Sequence, residues 1–107
     1  MTHQVHIGSF SVGAGARPFL IAGPCVIESE QLVLETAARI AEVAKSLGMP
    51  YIFKSSFDKA NRTSITSYRG PGLEKGLAVL KQVKDQLGLP VLTDVHTEEQ
   101  ASEAGKI

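Results

Sequence analysis

The chain has 107 residues, the size of one small domain or of a piece of a larger one. Eleven Lys and Arg balance eleven Asp and Glu, so no global field points to nucleic acid, a membrane surface or a strongly acidic partner, and any charged ligand must be met locally. An apolar content of 43% with 21% charged residues is globular usage, and a single Cys excludes a disulfide framework and makes the cytosol the default compartment.

No apolar run approaches the roughly 18 residues of a membrane span, and residues 1–10 lack the basic-then-apolar layout of a signal peptide. Residues 4–16 alternate weakly before a Gly-rich stretch and are read as a hairpin closing one end of a sheet; His3 and His6 fall in or beside it as bystanders. Residues 19–22 are the first short apolar strand of the main pattern. Val33, Ala37, Ile40, Ala44 and Leu47 then follow the three-four spacing of one helix face, with Ser29 placed to cap and Glu30 in the first turn. Leu47-Gly48-Met49-Pro50 closes that helix, the Gly taking the left-handed position and the Pro blocking continuation. Residues 51–53 form the second strand.

A long connection of about sixteen residues follows, where two to six are typical. Leu73, Leu77, Leu80, Val83 and Leu87 then mark a second helix, with Lys81 and Lys84 on its wet side. The closing signal recurs forty positions on as Leu87-Gly88-Leu89-Pro90, and residues 91–93 are the third strand. Thr97-Glu98-Glu99-Gln100 matches a capping box in which the Thr97 hydroxyl and Gln100 amide satisfy each other's backbone donors, Gly105 stops a short third helix, and Ile107 begins a fourth strand.

The strands are apolar on consecutive positions, the pattern of strands buried on both faces, and strand-helix repeats with crossovers of this length imply parallel neighbours. The class is α/β. Three such units stopping at Ile107 do not make a comfortable closed fold, because eight need about 250 residues in a barrel; the chain is expected to be one partial domain, with an open three- or four-stranded sheet as the alternative.

Each strand runs at its carboxyl end into polar residues that packing does not require: Gly23-Pro24-Cys25, Lys54-Ser55-Ser56 and Asp94-Val95-His96. Parallel α/β proteins place chemistry on that rim. The long connection, counted with Lys54, holds four cations and one acid among hydroxyls and an amide, the inventory for charge-assisted bonds to phosphate or carboxylate. A solvated surface loop would have similar composition. Cys25 is either a small packed residue or chemistry, and His96 either a structural hydrogen-bonder or an acid-base group. One Cys and one His are short of the three ligands a catalytic metal needs; their spacing is compatible with nucleophilic Cys-His catalysis, for which the sequence names no oxyanion donor set.

Taken together, Ala22-Gly23-Pro24-Cys25-Val26-Ile27-Glu28-Ser29, the run from Phe53 through Lys54, Lys59-Ala60-Asn61-Arg62 and Ser64, then Tyr68-Arg69-Gly70-Pro71-Gly72 and Thr93-Asp94-Val95-His96, closely resemble the 3-deoxy-D-manno-octulosonate 8-phosphate synthase family. The likeness runs from about Phe19 to Ile107. It implies a (β/α)8 TIM barrel, of which this chain holds the N-terminal three βα units, in a protein that is usually a cytoplasmic homotetramer. The implied reaction condenses phosphoenolpyruvate with D-arabinose 5-phosphate on the way to lipopolysaccharide.

By that resemblance Lys54, Ser56 and Lys59 surround phosphoenolpyruvate, and Asn61, Arg62 and Thr63 meet the sugar phosphate; Thr63 departs from the family's Ser but keeps the hydroxyl. Lys59, Asp94 and His96 are the implied catalytic residues, with Asp94 and His96 orienting or relaying protons to the developing hydroxyl. Cys25 places the chain with members that bind a divalent ion such as Zn, Fe or Mn through this thiolate and a later His, Glu and Asp, none of which is here. The chain by itself is therefore expected to bind metal poorly and turn over nothing measurable. Related DAHP synthases have Lys-Pro-Arg-Thr where this chain has Lys59-Ala60-Asn61-Arg62, so Asn61 argues against condensation with erythrose 4-phosphate. A Schiff-base role for Lys54, as in class I aldolases, and a non-catalytic anion-binding module compete with the condensing reading.

Overall fold

The computed structural model describes residues 3–59 and 64–107. Gln4–Ile7 (β1) and Phe10–Gly13 (β2) pair antiparallel. They form a two-stranded sheet of their own, unpaired with the three-stranded sheet that follows. The expected hairpin exists, therefore, but does not extend the main sheet. It lies by the amino ends of the parallel strands, where the Phe10 ring stands 6.3 Å from Phe19 and Gly8 and Ser9 share a cavity with Gly88, Leu89 and Pro90.

Leu20–Ala22 (β3), Tyr51–Lys54 (β4) and Val91–Leu92 (β5) make the main sheet in the order β3-β4-β5, parallel throughout. Glu30–Ser46 (α1) joins β3 to β4, Leu73–Leu87 (α2) joins β4 to β5, and Glu98–Ala104 (α3) follows. Ser29 caps α1 by accepting from the Leu32 N–H, and Gly48, at φ 64°, turns the chain out of it. Gly88, at φ 67°, does the same for α2. Because side chains alternate along a strand, Tyr51 and Phe53 point toward the helices and join Val33, Ala37, Leu77, Leu80 and Val83 in the core.

Three expectations need correction. Only β4 is buried on both faces, Ile52 being flanked by both neighbouring strands; Ile21 is 44% exposed and Leu92 39%, because no described helix packs on the face they share with it. Leu47 is 69% exposed, since α1 ends at Ser46 and the last apolar position swings outward. Gly105 closes α3 as expected, in right-handed conformation at φ −63°. Ile107 is not in a strand; its N–H donates to the Ala104 carbonyl in the exit from α3. The capping box is also displaced by one residue. Thr97 accepts from the Gln100 N–H as expected, but Gln100 Oε1 accepts from the His96 N–H at 2.7 Å rather than from Thr97.

Candidate active site at the strand ends

The polar residues meet because three parallel strands end side by side. After β3 the chain bulges through Gly23-Pro24-Cys25 and returns to β4 at a parallel bridge between Val26 and Ser56. Two backbone bonds flank that bridge, from Ser56 N–H to the Cys25 carbonyl and from Ile27 N–H to the Ser56 carbonyl. The bulge is tied down a third time by the Ser55 hydroxyl, which donates to the Pro24 carbonyl at 2.6 Å. Ser55 is 1% exposed and is the one polar residue buried among those described. Gly23 is required for this approach, since a Cβ there would stand 1.9 Å from the Lys54 carbonyl oxygen.

An open cavity of about 400 Å³ occupies this rim, lined by Cys25, Lys54, Ser56, Lys59 and Asp94, with Gly23 and Ser55 at its wall. Five of the residues singled out from the sequence thus share one cavity. The sixth, His96, lies beside them: its Nε2 is 3.4 Å from Asp94 Oδ2 and 3.2 Å from the Asp58 carbonyl oxygen. Asp94 also accepts a very short bond from the Ser56 hydroxyl, so its two oxygens face a hydroxyl and an imidazole. Asn61, Arg62 and Thr63 lie outside the described residues.

Two ammonium groups against one carboxylate make this cavity suited to a small anion. One cation of the connection is held by its acid, however. Arg69 is gripped by Asp58, with Nε 2.5 Å from Oδ1 and Nη2 3.2 Å from Oδ2, and its pKa is raised further by that bond and by the carboxylate's charge. For a metal, the exposed Cys25 thiol at the cavity wall fits one soft ligand. No group of three or more His, Cys, Asp or Glu among the described residues completes a site.

Sequence reasoning placed Gly23 and Ser55 on the rim without a role for either, and passed over the Asp58–Arg69 pair. Gly23 had a signal, a Gly directly after a strand; Ser55 had none without the β3–β4 register. Asp58 was visible as the lone acid in a basic segment.

Known proteins bear directly on this arrangement. A 2-dehydro-3-deoxyphosphooctonate aldolase of Variovorax paradoxus is 63% identical over 98 residues, covering 92% of this chain and 34% of the relative. One from Trichlorobacter lovleyi is 53% identical over 107 residues, the whole of this chain and 39% of the relative, and one from Legionella pneumophila is 58% identical over 98 residues, 92% and 36% respectively. The chain therefore spans little more than a third of the curated relatives it matches. The family profile described as DAHP synthetase I matches residues 2–107. A match of that extent establishes that the chain belongs to the DAHP synthetase I family.

Proposed function

We propose that this chain supplies part of the active site for condensing phosphoenolpyruvate with D-arabinose 5-phosphate and water, giving 3-deoxy-D-manno-octulosonate 8-phosphate and inorganic phosphate. The observation that carries the reading is one cavity lined by Cys25, Lys54, Ser56, Lys59 and Asp94, in a chain whose relatives bear the aldolase name. On this reading the chain is the first three βα units of a TIM barrel, and the helix-free sheet face with Ile21, Ile52 and Leu92 looks into the barrel interior.

Lys54 and Lys59 hold the carboxylate and phosphate of phosphoenolpyruvate, with Ser56 adding a hydroxyl, and the two ammonium groups offset the charge that builds as the enol carbon attacks the aldehyde. Asn61, Arg62 and Thr63 take the sugar phosphate. Asp94 and His96, already within 3.4 Å of one another, orient and relay a proton to the hydroxyl that develops on the former aldehyde. Cys25 would hold a divalent ion, Zn, Fe, Mn or similar, through its sulfur together with ligands from the longer protein, and that ion would polarise the aldehyde oxygen. The longer protein is read as a cytoplasmic homotetramer.

A chimera joining this chain to the last two thirds of the Variovorax paradoxus relative tests the reading. Metal-requiring consumption of phosphoenolpyruvate only with arabinose 5-phosphate is the expected result. Full activity after exhaustive chelation would overturn the metal assignment, and activity with erythrose 4-phosphate in its place would overturn the sugar assignment.

A further inference from the structure

The neck of the long connection carries a device that neither the relatives' names nor the site residues account for. Residues 57–59 run beside residues 69–72. The Lys59 N–H donates to the Arg69 carbonyl at 2.7 Å and the Gly72 N–H to the Phe57 carbonyl at 3.0 Å. The approach is close enough that a Cβ on Gly70 would stand 2.4 Å from the Phe57 oxygen. Across this neck the Asp58 carboxylate takes the Arg69 guanidinium with both oxygens. One residue earlier Phe57 is 1% exposed and anchored in the core, and one residue later Lys59 lines the cavity.

The placement is costly for an anion site. Asp58 is the lone acid among residues 54–70, and it stands directly beside a lysine whose task is to attract negative charge. Arg69 is 60% exposed, so as an ordinary surface pair the contact would add little to global stability. The pair spans the point where the chain leaves the core. It also bears on the acid-base residues, because the Asp58 carbonyl oxygen is 3.2 Å from His96 Nε2.

We propose that Asp58 and Arg69 are positioning residues which clamp the neck of the connection and thereby hold Lys59 at the cavity mouth. The proposal rests on the reading of the cavity as a phosphoenolpyruvate site. Holding Lys59 in place before binding removes the ordering cost that a mobile lysine would incur when the anion arrives.

Electrostatics and positioning predict opposite signs for one variant, which makes the test sharp. Asp58→Asn removes a negative charge near the anion, so a purely electrostatic role predicts tighter binding. Positioning predicts weaker binding. With the chimera described above titrated calorimetrically with phosphoenolpyruvate, the expected result is a loss of about tenfold in affinity for Asp58→Asn. Amide hydrogen exchange at Lys59 should accelerate by a similar factor, because its bond to the Arg69 carbonyl is released. Arg69→Lys, which keeps the charge but loses the two-pronged grip, should fall between the two, and the exchange Asp58→Arg with Arg69→Asp should restore Lys59 amide protection. Equal or tighter binding by Asp58→Asn with unchanged Lys59 protection would overturn the proposal while leaving the anion site intact. Absence of any response in the unsubstituted chimera would instead remove the anion reading and the proposal with it. Should Asp58→Asn lose its near-UV signal, Arg69→Lys decides, and affinity and protection equal to the parent's would overturn the clamp.

Discussion

Replacing Gly23 with Ala tests whether the close approach of the β3 exit to β4 builds the cavity wall. The added Cβ would lie 1.9 Å from the Lys54 carbonyl oxygen and 2.9 Å from its carbon, both backbone atoms that no rotamer change can move. An ordinary carbon-oxygen contact is about 3.3 Å, so the strand exits must part by roughly 1.4 Å. That separation breaks the Ser55 bond to the Pro24 carbonyl, now 2.6 Å, and the Ser56 N–H bond to the Cys25 carbonyl, already 3.3 Å. Two lost hydrogen bonds at about 1 kcal/mol each, with residual overpacking of about 1 kcal/mol, give a destabilisation of about 3 kcal/mol. Urea unfolding with a slope of about 2 kcal/mol per molar then shows a midpoint lowered by about 1.5 M. A Gly→Ala change free of steric conflict normally stabilises by about 0.4–1 kcal/mol through the unfolded chain, so the sign alone is informative. An unchanged or raised midpoint would refute the close-approach argument.

Further outcomes follow from the same geometry. Burial pushes the Tyr51 hydroxyl, which donates to the Ala22 carbonyl at 2.9 Å, up to about 12. Its folded pKa thus exceeds the ordinary 10.0, the associated stability is complete below pH 10, and about 2 kcal/mol is lost as pH rises toward 12. Urea midpoints measured from about pH 9.5 to 11.5 should fall in the parent chain more steeply than in Tyr51→Phe, and parallel slopes would contradict the buried phenol. Cys25 is exposed and shares a cavity with Lys54 and Lys59, so iodoacetamide should alkylate it in the folded chain, and phosphoenolpyruvate should slow that reaction. Alkylation unaffected by saturating phosphoenolpyruvate would separate the thiol from the anion site.

The helices were legible because their signals are local. Ser29 before a three-four apolar face, and Gly followed two residues on by Pro, each fix backbone within one turn, and the structure caps α1 and ends α2 at those residues. The rim was legible because a parallel sheet turns sequence position at the end of a strand into spatial neighbourhood, bringing Cys25, Lys54 and Asp94 together. What stayed hidden depends on pairing across distance. Ser55 and Pro24 are thirty-one positions apart, and the role of Ser55 emerges only once Ala22 is known to lie opposite Phe53. Asp58 and Arg69 are eleven apart, with no regular period to announce them. Ile21 and Leu92 read as buried from composition alone, but exposure depends on what covers a face, and no described helix packs on theirs.

The central claim is that the carboxyl ends of β3, β4 and β5 form one phosphoenolpyruvate site centred on Lys59. Amide chemical-shift mapping of the chain during a phosphoenolpyruvate titration tests it most directly, run beside Lys59→Met. The account predicts shifts concentrated at Gly23, Cys25, Ser56, Lys59 and Asp94, with affinity weakened about 10- to 100-fold by the substitution, the scale of one charge-assisted bond. Shifts confined to the β1–β2 hairpin, or binding indifferent to the loss of the Lys59 ammonium, would contradict it.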